Sequence, residues 1–153
     1  MVFIQEPEGV FHAPLAEVWE FVGSGDGHSS AHHHQKVRRL LDDPLHGRYS
    51  WEQPFDGVST RFTMRWSSFW PLGVAYEVLE GPFEGSRFFL VYEPRGDRTA
   101  VSVVGEFVSR TLADDAIPAA VRRFFDLEYE QDRAAIQARS GGPARALPPR
   151  PPR

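Results

Sequence analysis

The order of elements predicts an α+β domain in which one curved antiparallel sheet is wrapped on a single long C-terminal helix. Three observations predict it. From Lys36 to Val108 the chain runs as short apolar segments broken by Gly, Pro and Asp turns. No helical pattern interrupts them, which gives an antiparallel meander and rules against parallel βαβ units. The stretch that follows has one long helical pattern, about 30 Å at 1.5 Å per residue, the only element able to cover a whole small sheet. One helix cannot fill a strongly curved sheet, so a hollow is expected between them.

Residues 2–11 read as the first strand, with Phe3, Ile4, Val10 and Phe11 as its apolar content. Ala13-Pro14 opens a short helix through Val18, Trp19, Phe21 and Val22, because the missing N–H of proline costs nothing in a first turn. Gly23-Ser-Gly-Asp-Gly27 ends it and reads as a hinge or lid loop. It follows a helix and lacks the Lys-Ser/Thr of a phosphate loop. If His28–Gln35 is helical, His28 and His32 share a face at i, i+4. The meander comprises 37–41, 49–52, 61–69, 74–79, 87–92 and 99–108. On its central strand Phe62, Met64, Trp66 and Ser68 share one face, and Arg61 and Arg65 lie on the other. Asp114 or Asp115 is expected to cap the last helix, with Pro118 in its first turn and its end near Ala138. Residues 1–139 are thus read as one ligand-binding domain, and 140–153 as a disordered Pro/Arg-rich tail.

At 153 residues and 41% apolar composition the chain has enough material for one core. Four of its 17 basic residues (Arg139, Arg145, Arg150 and Arg153) fall where there are no acids. The body before them therefore carries 13 basic against 21 acidic residues, a net charge of −8. A body this acidic argues against nucleic acid or an anionic membrane as partner. The absence of cysteine excludes disulfides, thiolate metal sites and cysteine nucleophiles. No Gly-x-Ser-x-Gly elbow is present for a serine hydrolase. Neither a signal peptide nor a membrane span is expected, and a cytoplasmic location is.

The chemistry concentrates at two places. Around the last helix, with Val121 as reference, Phe124, Phe125, Ala135 and Ile136 define a buried stripe. Glu128 falls at about −20° and Asp132 at about +20°, in its centre. A carboxylate on a core face is costly unless it is paired. Either it meets an inward Arg or Tyr or a wet part of the cavity, or it serves as a metal ligand or catalytic group. The second place is His28 with His32, His33 and His34. These three consecutive histidines cannot all serve one ion; His28 with His32 can on a helix, and His32 with His34 can in an extended segment. Two histidines and one carboxylate would form a facial triad suited to iron(II), zinc or manganese. His28, His32 and Asp132 are accordingly the candidate metal ligands. Phe62, Trp66, Tyr76, Tyr92, Phe125 and Glu128 are the candidate ligand-binding residues, while His12 and His46 read as strand-end and turn residues.

Phe11-His-Ala-Pro-Leu-Ala-Glu-Val-Trp19, Leu79-Glu-Gly-Pro82, Tyr92-Glu-Pro-Arg-Gly-Asp97 and the closing helix resemble the START-like, polyketide-cyclase-like (SRPBCC) superfamily over about residues 3–138. The resemblance implies a helix-grip fold around a ligand cavity, on which lipid carriers, aromatic-polyketide cyclases and hormone receptors are built. The catalytic domains of Rieske-type ring hydroxylases are similar in fold and bind iron through two histidines and an Asp on a late helix. Gly25-Asp-Gly-His-Ser-Ser-Ala-His-His-His34 with Glu130-Gln-Asp132 looks like a miniature of that site. The chain departs from them in having no Cys for a Rieske cluster. The expected function is binding of a small apolar, aromatic or lipid-like molecule, with a divalent metal on the His/Asp cluster. The alternatives are a metal-dependent or acid–base enzyme of cyclase/dehydratase type, and an interaction protein that binds through its tail.

Overall fold

The computed structural model describes residues 1–24 and 26–140, with Asp26 described by its backbone alone. Gly25 of the glycine-rich loop and the expected tail beyond Ser140 lie outside the described residues. The elements are β1 (Val2–Phe11), α1 (Leu15–Val22), α2 (Asp26–Ala31), β2 (Gln35–Asp42), β3 (His46–Phe55), β4 (Val58–Phe69), β5 (Gly73–Glu80), β6 (Arg87–Arg95), β7 (Arg98–Phe107) and α3 (Ile117–Arg139). The seven strands form one antiparallel sheet in the order β1-β7-β6-β5-β4-β3-β2. Each meander strand pairs with its sequence neighbour, and β1 returns to pair with β7. The expected α+β architecture, a sheet gripped by its C-terminal helix, is the one observed.

Helix α3 explains where the space lies. Its buried residues are Ile117, Ala120, Val121, Phe124 and Phe125, then only Ile136. The first half packs on Trp51, Phe62, Phe83, Phe88 and Phe107, in a core rich in aromatic rings in which Phe62 is 0% exposed. At the other end Ile136 joins Phe11, Val18, Trp19, Phe21, Val74, Tyr92 and Val101 in a second cluster under α1. Between Phe125 and Ile136 the inward positions go to Glu128, Tyr129 and Asp132, which cannot close on an apolar sheet. A cavity opens at that interruption.

The expected cap of α3 is corrected. The N-cap position is Ala116, which makes no side-chain capping bond, and Pro118 occupies the first turn. Asp114 turns away to pair with the Met1 ammonium at 2.9 Å. Proline supplies the helical φ from the first turn, so the helix starts without a side-chain cap.

Candidate functional site

The cavity has a volume of about 830 Å³ and is bordered by both core clusters. Its walls are Met64 and Trp66 of β4, Tyr76 of β5, Phe88, Leu90 and Tyr92 of β6, and Phe124 and Phe125 of α3. Trp19 closes one side: its indole N–H donates to Pro71 O at 2.9 Å and its ring meets Tyr92 edge-on at 5.6 Å. A Cβ at Gly47 would lie 2.5 Å from Trp66 Nε1, so the glycine leaves room for the indole to pack close to β3.

Five of the six candidate ligand-binding residues line this space: Trp66, Tyr76, Tyr92, Phe125 and Glu128. Phe62 does not, and this expectation is corrected. It shares the inward face of β4, but it lies where the apolar half of α3 closes directly on the sheet. It is stacked on Trp51 at 5.3 Å and tilted against Phe124 at 5.6 Å. The hollow begins further along the strand, at Met64 and Trp66.

The polar end is built by three short-range devices. First, the backbone N–H of His32 donates to His28 O at 3.4 Å, extending α2 by one residue and bringing the two imidazoles edge to face at i, i+4. Phe21 backs His28 edge-on at 5.0 Å. Second, His33 takes a left-handed φ of 53°, turns outward and lets the chain leave the helix for β2. His34 then comes back inward, stacked between His32 at 5.1 Å and Trp51 at 4.7 Å. Third, the pairing of β1 with β7 shifts register between Pro7 and Gly9, so Glu8 sits at a bulge on the cavity wall. Gly9 is needed beside it, because a Cβ there would lie 2.3 Å from the ring of Tyr129. The Tyr129 hydroxyl donates to Val10 O at 3.0 Å and accepts from Val10 N at 3.1 Å, which ties α3 to the bulge.

These devices bring His28, His32 and Asp132 together. His32 Nε2 lies 2.9 Å from Asp132 Oδ1 and 3.0 Å from His28 Nε2, and His28 Nε2 lies 3.3 Å from the same oxygen. On its other side, His32 Nδ1 lies 3.0 Å from Glu128 Oε2 and 2.9 Å from Gln131 Oε1. Gln53 Nε2 donates to Glu128 Oε1 at 3.3 Å, and the Trp51 indole N–H donates to Gln53 Oε1 at 2.8 Å. Asp132 Oδ1 is buried and makes no aligned hydrogen bond despite these short distances. His32 is buried, while His28 and Asp132 stay partly accessible on the cavity wall.

Burial and mutual charge set the protonation of the group. Burial raises the Asp132 carboxyl, but His28 and His32 outweigh it and hold the pKa down to about 2. Burial lowers His32, yet Asp132 and Glu128 together push it up to about 9. Burial and the neighbouring His32 and His28 lower His34 to about 3, so it is neutral. Burial, with Asp132 and Glu128 nearby, raises Glu8 to about 8, and burial also raises Glu128. Burial lifts the hydroxyls of Tyr49, Tyr76 and Tyr92 as well, so all three stay neutral donors on the cavity wall.

Sequence reasoning missed Glu8, Tyr49 and Trp19 as wall residues and left the direction of His34 open. Pro7 and Gly9 flanking Glu8 were the available signal for a bulge that turns its side chain. His12 is exposed, and His46, expected in a turn, is the first residue of β3, 3.3 Å from Asp43. Gly23 and Ser24 lie at the cavity mouth. No helix among the described residues is long and apolar enough to cross a membrane.

By sequence, no family model and no curated protein matches the chain. Solved structures do. TTHA0849 from Thermus thermophilus superposes with a TM-score of 0.73 at 14% identity, over 92% of this chain and 99% of that one. The Zhui aromatase/cyclase from a Streptomyces species gives 0.70 at 18% identity, over 90% and 92% of the two chains. A START superfamily protein from Mycobacterium smegmatis gives 0.73 at 11% identity, over 90% and 99%. At these identities the likeness speaks for architecture, and the chemistry must be read from this chain's own residues. The chain has the helix-grip fold that these structures share.

Proposed function

We propose that this protein binds a small, largely apolar or aromatic molecule in its cavity and presents to it a divalent metal held by His28, His32 and Asp132. The observation that carries the reading is the convergence of three donor atoms from two helices, 2.9–3.3 Å apart, on the wall of the cavity. Ligand bonds of ~2.1 Å place neighbouring donors roughly 3.0 Å apart at right angles and about 3.4 Å apart at the tetrahedral angle, so the trio needs little rearrangement to hold an ion. Two facing imidazole nitrogens and a carboxylate oxygen without an aligned donor are the pattern a cation resolves. His32 Nδ1 is oriented by Glu128 and Gln131, the outer support such ligands use. Two imidazoles and a carboxylate suit iron(II), zinc or manganese, and leave positions open toward the cavity. An ion there would polarise an oxygen of the bound molecule. Tyr49, Tyr76 and Tyr92 would orient its other polar groups, and the aromatic walls would exclude water.

One observation favours a second reading. His32 lies between Asp132 and Glu128 and is held protonated at neutral pH. Without an ion it is a buried general acid, fit for the proton transfers of a cyclase or dehydratase.

Titration of chelator-stripped protein, free of any histidine tag, separates the two. Zinc or manganese should bind with at least one equivalent, and Asp132→Asn should remove that uptake. A hydroxynaphthalene probe should quench the fluorescence of Trp19, Trp66 and Trp70. Probe binding without any metal uptake would turn the assignment to the acid–base reading. Failure of both would defeat the ligand-binding reading itself.

A further inference from the structure

The His/Asp trio uses only one side of His32. Its ring is flanked by carboxylates at both nitrogens: Nε2 faces Asp132 at 2.9 Å and Nδ1 faces Glu128 at 3.0 Å. His34 stacks beside it, and neither of its ring nitrogens makes an aligned hydrogen bond, although both are buried. Donor atoms of His32, His34 and Glu128 lie within 4.8 Å of one another, as those of His28, His32 and Asp132 do. We propose that His32 bridges two divalent cations as an imidazolate, one on Nε2 with His28 and Asp132, the other on Nδ1 with His34 and Glu128. The inference rests on the reading of the first trio as a metal site and extends it to a two-metal centre.

A simpler role for Nδ1 is to donate its proton to Glu128 and so fix the ring for a single ion. One feature favours the second cation. The hydrogen-bonded arrangement leaves both buried ring nitrogens of His34 without an aligned hydrogen bond, and a cation on Nδ1 of His32 would give one of them a partner. Glu128 already lies 3.0 Å from Nδ1, and the His34 ring, stacked on His32 at 5.1 Å, would have to rotate out of that stack to reach the same ion. As the second cation takes Nδ1, the last ring proton of His32 leaves for solvent, so loading that site releases one proton per chain.

The test is a calorimetric Zn(II) titration of the full chain, repeated with Cu(II) under electron paramagnetic resonance. The proposal expects two equivalents of zinc for the wild type. Glu128→Gln and His34→Ala should each bind one, with unchanged circular dichroism and melting as the control for folding. The Cu(II) signal should rise to the first equivalent and fall with the second, because an imidazolate bridge couples the two spins. One equivalent in the wild type, unchanged in both variants, overturns the second site and leaves the first intact. Two equivalents with additive, uncoupled signals overturn the bridge. No uptake at all overturns this inference together with the reading on which it rests.

Discussion

The two halves of α3 face the same sheet and are built to opposite rules. From Ile117 to Phe125 the helix buries only apolar side chains, and it packs on Trp51, Phe62, Phe83, Phe88 and Phe107. From Glu128 to Asp132 it offers two carboxylates and a tyrosine to the cavity, and the carboxylates contact histidines on its wall. The first half gains free energy from burying area. The second spends some of it on groups that would each be more stable in water. A run of rings joins them: His28 meets His32 edge-on, and His32, His34, Trp51 and Phe62 then stack in turn, all at 4.7–5.3 Å. The polar cluster is thus mounted on the rigid aromatic core, which is what a positioned site needs. The difference teaches that stability and chemistry are separated along one helix by a single turn.

The comparison is broken most severely from the packed side. Phe62→Ala should cost about 3–5 kcal/mol, lowering the melting temperature by roughly 10 °C, because no neighbour can fill the space. Metal uptake by the fraction that stays folded should persist. On the polar side, Asp132→Asn should cost only about 1–2 kcal/mol in metal-free protein, since Asn keeps an oxygen and the cavity admits water. It should weaken zinc binding by at least about 100-fold, beyond what loss of an outer support does. Thermal melts with and without zinc measure both numbers.

A pH series sharpens the comparison further. Glu8 is raised to about 8, so the folded protein holds a proton that the unfolded chain releases above its ordinary value. Its effect is therefore a loss of stability as pH climbs from about 4.5 through 8. His32, raised to about 9, adds stability that is fully present below about 6.5 and lost as pH rises through 9. Glu8→Gln should then stabilise metal-free protein by roughly 2 kcal/mol at pH 9 and by almost nothing at pH 5. A gain of equal size at both values would contradict a buried, proton-holding Glu8. The smallest effect is expected far from either half. Asp114→Asn removes an exposed pair with the Met1 ammonium and should change stability by less than about 1 kcal/mol.

The fold was legible because its signals are local and repeated. Turn chemistry separates every pair of meander strands, and α3 shows its apolar stripe without help from any other element. The inward position of Asp132 and Glu128 was legible for the same reason, since a helix fixes the direction of each side chain. What escaped depends on irregular backbone. Glu8 points into the cavity only because β1 bulges, and His34 returns inward only because His33 adopts a left-handed conformation. Periodicity has nothing to say at such points. Phe62 was misread for another reason: alternation along β4 gives its face correctly but not where along the strand the helix stops touching the sheet. The cap of α3 went astray because Asp114 found the chain terminus, a partner from the other end of the sequence.

The central claim is that an ion sits between α2 and α3 with its open side toward the aromatic cavity. Anomalous diffraction at the zinc edge, from crystals of full-length protein soaked with zinc, tests it most directly. The account predicts a strong peak bonded to His28 Nε2, His32 Nε2 and Asp132 Oδ1, at ligand distances of about 2.0–2.2 Å. A map with no peak among these three atoms, or with zinc only on exposed histidines such as His12, His33 or His46, would contradict it.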